Sequence, residues 1–164
     1  MVVGNFPYNI SSQILFKILE WKRQVTCVVG MFQKEVAQRV AAGPGTKSYG
    51  ILSVLVQAFY DVEYLFEVHE NCFTPPPKVK SAVIKLRPAT RIPSMRSEAD
   101  FFRLVKTAFN QRRKMLRNSV KDLFNTATLH EEIFTKRPEQ LTVAELAALT
   151  YKMLPHNTAQ PQTL

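Results

Sequence analysis

Four consecutive residues near the start of the chain, Asn5-Phe6-Pro7-Tyr8, carry groups that can bind and orient a planar amine. Asn5 offers a carboxamide oxygen as a hydrogen-bond acceptor, and Tyr8 offers a flat aromatic face. Pro7 fixes its own φ angle and removes a backbone donor, so that neighbouring carbonyls are free to face a ligand. The turn therefore predicts a site for the amino group of adenine, cytosine or an amide.

Such an amine is a poor nucleophile because its lone pair is delocalised into the ring or the carbonyl. Two acceptors, the Asn5 oxygen and a backbone carbonyl near Pro7, would hold both N–H hydrogens and aim the lone pair at an electrophile. This is catalysis by positioning rather than by a base. The alternative is an ordinary Asn-Pro turn after a strand, and the four residues alone leave both interpretations open.

A second aromatic residue, Phe73, stands at the start of the proline-rich loop Thr74-Pro75-Pro76-Pro77. A stiff loop would hold Phe73 at a fixed reach for stacking on a base, with Lys78 and Lys80 placed to meet phosphates. The alternative is a rigid connector whose Phe73 fills the core.

Four cations fall within a six-residue stretch, at Arg112, Arg113, Lys114 and Arg117. Runs of this kind are usually the solvated face of a helix, and a break of the helix near Asn110-Gln111 is the alternative. Because the formal net charge of the chain is +9, an RNA-contacting surface is an equally supported interpretation.

Composition narrows the class of protein. The chain has 164 residues, of which 46% are hydrophobic and 21% charged, as in a globular domain. The sequence pI of about 9.8 favours a polyanionic partner, with nucleic acid first. Cys27 and Cys72 show no metal or disulfide spacing, so free thiols, no metal site and a reducing compartment are expected. No apolar run is long enough for a bilayer and no signal peptide is recognised, so we expect a cytoplasmic protein with no membrane partner.

The elements that would position these residues alternate between strand and helix up to about residue 90. A strand ends at Asn5, and a helix capped by Ser11-Ser12 follows. Further strands are predicted over 25–31, 62–68 and 79–86, and helices over 33–40 and 48–59. The first strand, helix and strand predict a right-handed βαβ unit, and the two late strands are expected to pair antiparallel. Residues 1–90 thus resemble half of a doubly wound α/β sheet.

The remainder of the chain is predicted to be helical. Residues 91–96 have the composition of a linker, and Ser97 with Asp100 is expected to cap a helix. Residues 97–154 form the helical domain, with a last helix capped at Thr142, and 155–164 are a polar tail. An apolar stripe at helical spacing predicts the buried face of this domain. Its members are Phe102, Val105, Phe109, Leu116, Val120 and Leu123.

Five motifs occur in the order seen in a known family of enzymes. They are Asn5-Phe6-Pro7-Tyr8-Asn9-Ile10-Ser11, Gln33-Lys34-Glu35-Val36-Ala37-Gln38-Arg39, Gly45-Thr46-Lys47-Ser48-Tyr49-Gly50, Phe73 to Ser81, and Phe109-Asn110-Gln111-Arg112-Arg113-Lys114. On these motifs, the chain from residue 1 to about residue 154 resembles the KsgA family of small-subunit ribosomal RNA adenine dimethyltransferases.

The resemblance implies an enzyme that moves methyl groups from S-adenosylmethionine to the N6 amines of two adjacent adenines near the 3′ end of small-subunit rRNA. By that likeness Asn5 and the Pro7 carbonyl region hold the amine, Asn5 also lies beside the cofactor, and Tyr8 and Phe73 sandwich the extruded adenine. The partner implied is the small ribosomal subunit, with a role in ribosome biogenesis. The fold implied is the second half of a Rossmann-like class I methyltransferase sheet followed by a small all-α domain that binds RNA.

The sequence departs from that family in one respect. Such enzymes begin with a strand and a glycine-rich turn for the cofactor, and none of the five glycines here forms that turn. We expect a truncated sheet with an incomplete cofactor pocket, so that these 164 residues alone are inactive and bind S-adenosylmethionine weakly or not at all. The strand at Val2-Val3 would then be a bare edge, which predicts self-association of the fragment.

Other functions remain open on the sequence. A large-subunit rRNA adenine methyltransferase of the erythromycin-resistance type shares the Asn-aromatic-Pro-Tyr turn. A non-catalytic RNA-binding or ribosome-assembly factor, or a transcription factor on this scaffold, fits the basic charge equally well. An amino methyltransferase acting on DNA or protein glutamine shares the turn but is expected to lack the basic C-terminal helices.

Overall fold

A four-stranded mixed sheet forms the first part of the chain in the computed structural model, which describes residues 1–156. The strands are β1 (Val2–Asn5), β2 (Val28–Gln33), β3 (Tyr60–Val68) and β4 (Ser81–Pro88). Their order across the sheet is β1-β2-β4-β3. β1 pairs parallel with β2, whereas β4 runs antiparallel to both β2 and β3. The predicted antiparallel pairing of the two late strands is therefore confirmed.

Helices connect the strands and then make up the rest of the fold. The α-helices are α1 (Ser11–Glu20), α2 (Lys34–Ala41), α3 (Ile51–Phe59), α4 (Glu98–Asn110), α5 (Leu116–Ser119), α6 (Thr126–Leu129) and α7 (Val143–Leu149). Short 3₁₀ helices span Tyr8–Ile10, Glu70–Cys72, Lys121–Leu123, Glu132–Thr135, Pro138–Gln140 and Thr150–Lys152. No helix within residues 1–156 has the length and hydropathy needed to cross a bilayer.

Capping residues set where several of these helices begin. The Ser97 hydroxyl accepts a hydrogen bond from the Asp100 amide at 3.1 Å, and Thr142 and Glu145 form a reciprocal capping box, as predicted. The predicted Ser11-Ser12 cap is wrong. The chain enters α1 directly from the preceding 3₁₀ turn, so Ile10 occupies the N-cap position and Ser11 is the first residue of the helix.

The helices after the linker pack directly on α3. The rings of Phe59 in α3 and Phe101 in α4 meet edge to face with centroids 6.4 Å apart. Of the predicted apolar stripe, Phe102 is half-buried and the other five residues are buried. These residues do not lie on one helix, because α4 ends at Asn110 and a turn separates it from α5.

The predicted linker has no helix or strand but is tied down at Arg96. Its guanidinium Nε donates to Asp100 at 2.7 Å and its Nη1 to the Met153 carbonyl at 2.6 Å. Both cysteines are free thiols, as predicted. Most of the predicted tail, 157–164, lies outside the described residues.

β1 lies at one edge of the sheet formed by the described residues, and Val3 on it is 65% exposed. An edge strand presents unpaired backbone groups to other chains. Self-association through this edge stays a prediction.

Candidate active site

The Asn5-Phe6-Pro7-Tyr8 turn lies at the carboxyl end of β1. Asn5 is the last residue of the strand, pairs with Met31 of β2 in the parallel register, and is exposed. The Phe6 amide continues this pairing by donating to the Met31 carbonyl at 3.2 Å. Open α/β sheets bind ligands outside the carboxyl ends of their parallel strands. The Asn5 amide is thus presented to solvent where that rule places a ligand.

Two glycines seat the ring of Phe6 and so fix the course of this turn. Gly4 and Gly30 face each other across β1 and β2. A Cβ at Gly30 would lie 2.4 Å from Cε2 of Phe6, so only glycine leaves room for the ring there. Phe6 also packs on Phe32 with ring centroids 5.0 Å apart. Sequence reasoning assigned no role to these contacts, although a glycine in each of two paired strands is a signal of close approach.

The Pro7 carbonyl already has hydrogen-bond partners within the turn. It accepts hydrogen bonds from the Ile10 amide at 3.3 Å and from the Ser11 hydroxyl at 3.2 Å, and Ser11 also reaches the Tyr8 carbonyl at 3.2 Å. Pro7 therefore shapes the turn, and its carbonyl is already engaged within the turn. Of the carbonyls near Pro7, that of Phe6 is the better candidate for a second acceptor beside Asn5.

Tyr8 and Phe73 line the same cleft. With Asn5, Phe6 and the proline-rich loop they enclose a cavity of about 380 Å³. Both rings are half-buried, so Phe73 does not simply fill the core. The structure thus brings Asn5, Pro7 and Tyr8 of the turn together with Phe73, which lies 65 to 68 positions further along the chain.

A buried hydroxyl holds the Tyr8 ring in place. Ser81, the first residue of β4, is fully buried and its hydroxyl hydrogen-bonds to the Tyr8 hydroxyl. Because Ser81 also pairs with Gln33 in the sheet, the bond fixes one wall of the cleft to the ends of β4 and β2. Sequence reasoning did not single out Ser81, and a lone serine at a strand start gives no such signal.

The basic stretch after α4 is a turn, because α4 ends at Asn110, at the break near Asn110-Gln111 that the sequence left open. Gln111 to Met115 lies between α4 and α5, and the Lys114 amide donates to the Gln111 carbonyl at 2.9 Å. Arg113, Lys114 and Arg117 are exposed. Lys78 and Lys80 are exposed as well, on the segment that runs from the proline-rich loop into β4. These five cations face solvent in positions where phosphates can reach them.

Arg112 differs from its neighbours because its guanidinium is already engaged. Nε pairs with Glu139 at 2.7 Å, and Nη2 donates to the carbonyls of Thr46, at 3.2 Å, and Lys47. The Gly45 amide in turn donates to the Glu139 carbonyl at 2.7 Å. Arg112 thus clamps the loop between α2 and α3 to the C-terminal helices.

Two further cations, which the sequence did not single out as RNA contacts, lie near Arg113 and Lys114. Lys47 and Arg137 line a cavity of about 880 Å³ together with Arg113 and Lys114. They are 90 positions apart in the chain, so no run of charge marks them. The only sequence signal is the glycine-rich loop that carries Lys47.

Curated proteins of known family are similar to almost the whole chain. The family model for ribosomal RNA adenine dimethylase matches residues 1–154. The ribosomal RNA small subunit methyltransferase A of Parabacteroides distasonis is 58% identical over 151 residues, covering 91% of this chain and 57% of that protein. The protein of the same name from Flavobacterium johnsoniae is 58% identical over 153 residues, covering 93% and 59%. The chain therefore spans somewhat over half the length of these relatives.

Solved structures share the fold. A dimethyladenosine transferase from Plasmodium falciparum superposes with a TM-score of 0.71 at 26% identity, over 92% of this chain and 66% of that one. The 23S rRNA methyltransferase ErmE gives a TM-score of 0.60 at 23% identity, over 89% and 64%, which is a likeness of fold.

Proposed function

Because the chain belongs to the ribosomal RNA adenine dimethylase family, which matches it over residues 1–154, we propose that it supplies the adenine-binding part of an S-adenosylmethionine-dependent enzyme. The fold is that of class I methyltransferases. The proposed reaction is dimethylation of the N6 amines of two adjacent adenines near the 3′ end of small-subunit rRNA. The proposed partner is the small ribosomal subunit, in the cytoplasm, with a role in ribosome biogenesis.

The observation that carries this proposal is the cleft in which Tyr8 and Phe73 approach the exposed amide of Asn5. Two rings flanking a cavity suit a flat base, because stacking on aromatic faces holds any base taken out of its helix. The cleft is lined mainly by aromatic and proline side chains, and the Asn5 amide is the polar group that distinguishes one base edge from another.

The two acceptors then act on the amine. The Asn5 side-chain oxygen and the Phe6 carbonyl each accept one N–H of the adenine N6 group, which draws the nitrogen toward tetrahedral geometry. With both N–H hydrogens held, the nitrogen lone pair would point in line at the methyl group that S-adenosylmethionine would supply, and forming the N–C bond as the C–S bond breaks would leave a neutral thioether. The alkylated nitrogen loses one proton to water, so the site needs no His, Cys or paired carboxylates.

S-adenosylmethionine supplies the electrophilic methyl group on a sulfonium. Asn5 fits a place beside it, because its exposed amide stands at the carboxyl end of a parallel strand, the usual position for a cofactor contact. No glycine-rich turn of the kind that holds this cofactor occurs in the sequence, and we assign the cofactor no other residue of the chain.

The exposed cations position the RNA. Arg113, Lys114 and Arg117 form one group after α4, and Lys78 and Lys80 form another beside the cleft. Contacts from Lys and Arg to phosphates give affinity without reading sequence. We therefore assign binding of the RNA backbone to these residues and recognition of the base to the cleft.

The test is Asn5→Ala in the whole protein, assayed by transfer of labelled methyl groups to small-subunit RNA. We expect transfer to fall by about 100-fold or more, as when a preorganised donor or acceptor is removed, while RNA affinity changes less than about twofold. Asn9→Ala is the matched control, because Asn9 is exposed in the same turn but does not line the cleft.

The same assay separates the other functions. Methyl transfer that survives Asn5→Ala would contradict the proposed chemistry, and RNA binding without any transfer by the wild type would favour a non-catalytic assembly factor. Mapping the methylated adenine decides between small-subunit and large-subunit RNA.

A further inference from the structure

A second cleft lies next to the one that receives the target base. Its cavity of about 290 Å³ is bounded by Gln33, Lys34, Glu35 and Gln38 at the junction of β2 and α2, and by Val79 and Lys80 on the opposite wall. The Lys34 amide donates to the Lys80 carbonyl at 2.9 Å, so the backbone closes the cleft at its base.

The two clefts lie side by side. Ser81 pairs with Gln33 across β4 and β2 and bonds through its hydroxyl to Tyr8, so the lining of one cleft adjoins the lining of the other. Pro77 lines the first cleft and Val79 the second. Two residues of chain span at most about 7 Å, so Pro77 and Val79 place the two clefts side by side along one loop.

The polar groups of the second cleft divide into paired and unpaired sets. Lys34 pairs with Glu67 at 3.0 Å, and its hydrogen bond lowers the pKa of that carboxyl. Glu35 pairs with Arg39.

The other polar side chains of the cleft are available to a ligand. The amides of Gln33 and Gln38 form no hydrogen bond with any other residue in 1–156. The Lys80 side chain is exposed and makes no close ion pair within these residues, although its charge also helps to lower the pKa of Glu67. Val79 is 44% exposed and offers an apolar surface. Two free amides, one exposed cation and one apolar wall match the edge, the phosphate and the face of a nucleotide.

We infer that this second cleft binds the nucleotide adjacent to the target adenine, and that the amides of Gln33 and Gln38 favour adenine there. A glutamine amide can donate to N7 and accept from N6 on the Hoogsteen edge of adenine, and pyrimidines have no N7 acceptor on the corresponding edge. Val79 packs on the face of this base and Lys80 meets a flanking phosphate. The inference rests on the proposed function, and it gives a physical reason why the substrate would carry two adenines in succession.

The experiment measures binding of short fluorescent RNAs by anisotropy. Each RNA has one target adenosine flanked on its 5′ or its 3′ side by adenosine, cytidine or an abasic site. We expect the wild type to prefer adenosine over the abasic flank by about fivefold or more on one side, the scale of one good base contact. The double variant Gln33→Ala with Gln38→Ala should lose this preference.

Two further variants separate base contacts from other effects. Gln24→Ala is the control, since Gln24 is an exposed glutamine after α1 outside this cleft, and it should keep the preference. Lys80→Ala should weaken all the RNAs alike and reduce the salt dependence, as loss of a phosphate contact does. Circular dichroism establishes that each variant is folded before binding is compared.

The results test the role of the second cleft and the proposed function separately. Equal wild-type affinity for adenosine, cytidine and abasic flanks on both sides would overturn the second cleft, and so would a preference that survives the double variant. The proposed function would survive either result as long as Phe73→Ala weakens binding and an abasic target does the same. Should neither the target base nor Phe73 matter, the proposed function itself fails.

Discussion

Substituting Gly30 by alanine tests how the Asn5-Phe6-Pro7-Tyr8 turn is held. The new Cβ would lie 2.4 Å and 2.9 Å from two atoms of the Phe6 ring and 2.8 Å from the Phe32 ring. Carbon atoms in contact are normally about 3.5–4.0 Å apart, so a ring has to move by about 1 Å. Phe32 is fully buried and Phe6 is only half-buried, so we expect the Phe6 ring to be displaced.

The cost follows from this overlap. Forcing one extra carbon into a packed site costs about 1–3 kcal/mol of folding free energy, which lowers the folding equilibrium constant about 5- to 160-fold. Phe6 is bonded to Asn5 and Pro7, so the displaced ring carries the amine acceptors with it. A misplacement of about 1 Å can cost about 100-fold in rate, and we expect methyl transfer by the whole protein to fall more than stability alone explains.

Urea unfolding measures the stability part of this prediction. The midpoint should fall by about 0.5–1.5 M with an unchanged slope, taking a slope of about 2 kcal/mol per molar. Gly43→Ala is the matched control, because a Cβ there meets nothing within 4 Å, and its unfolding free energy should stay within about 0.5 kcal/mol of the wild type.

A second substitution shows whether the clash involves Phe6. Phe6→Leu in the Gly30→Ala background should recover part of the lost stability, because the smaller side chain vacates the space that the new methyl group needs. A wild-type midpoint for Gly30→Ala, or strictly additive effects in the double variant, would refute the reasoning.

Two further predictions concern charged groups. Arg112→Ala should speed amide hydrogen exchange over residues 45–49, because the clamp to Glu139 and the loop carbonyls is lost. Arg113→Ala should leave that exchange unchanged and lower the salt slope of RNA binding by about 1, and equal exchange in the two variants would contradict the clamp. A hydrogen bond from Arg96 holds the pKa of Asp100 below its usual 3.8, so this carboxylate stabilises the fold above that pH and loses its contribution as the pH falls through the lowered value. Asp100→Asn should therefore flatten the acid limb of the stability curve, and parallel curves for variant and wild type would show that the pairing contributes nothing.

The elements of the sheet were predictable because their signals are local. Strand β3 was predictable from its alternation of apolar and polar side chains, and β2 was predictable from an uninterrupted apolar run. The helix starts at Ser97 and Thr142 were predictable for the same reason, because the side chain of an N-cap residue accepts a hydrogen bond from the amide three residues later. The predicted cap at Ser11 was wrong because its hydroxyl donates to the preceding carbonyls of Pro7 and Tyr8 instead of accepting from an amide later in the helix. The sequence does not show whether a serine hydroxyl donates or accepts.

The parts of the candidate site that escaped prediction depend on contacts between distant segments. Ser81 matters only because β4 brings it to Tyr8, and the partly buried pairing of Arg112 depends on Glu139, which lies 27 positions away. The turn after α4 is a separate, local case. Charge spacing describes an uninterrupted helix, whereas α4 stops at Asn110 and the next residues turn.

The contacts of Arg112 determine which segments should be exchanged together in chimaeras of this protein and its relatives. The Gly45–Tyr49 loop precedes α3 in the chain, yet its anchors are Glu139, Leu141 and Arg112, through the Gly45 amide, the Tyr49 hydroxyl and the Thr46 carbonyl. A graft that exchanges only the segment after residue 97 would separate this loop from the groups that anchor it. Exchanges of the C-terminal helices should therefore include residues 45–49.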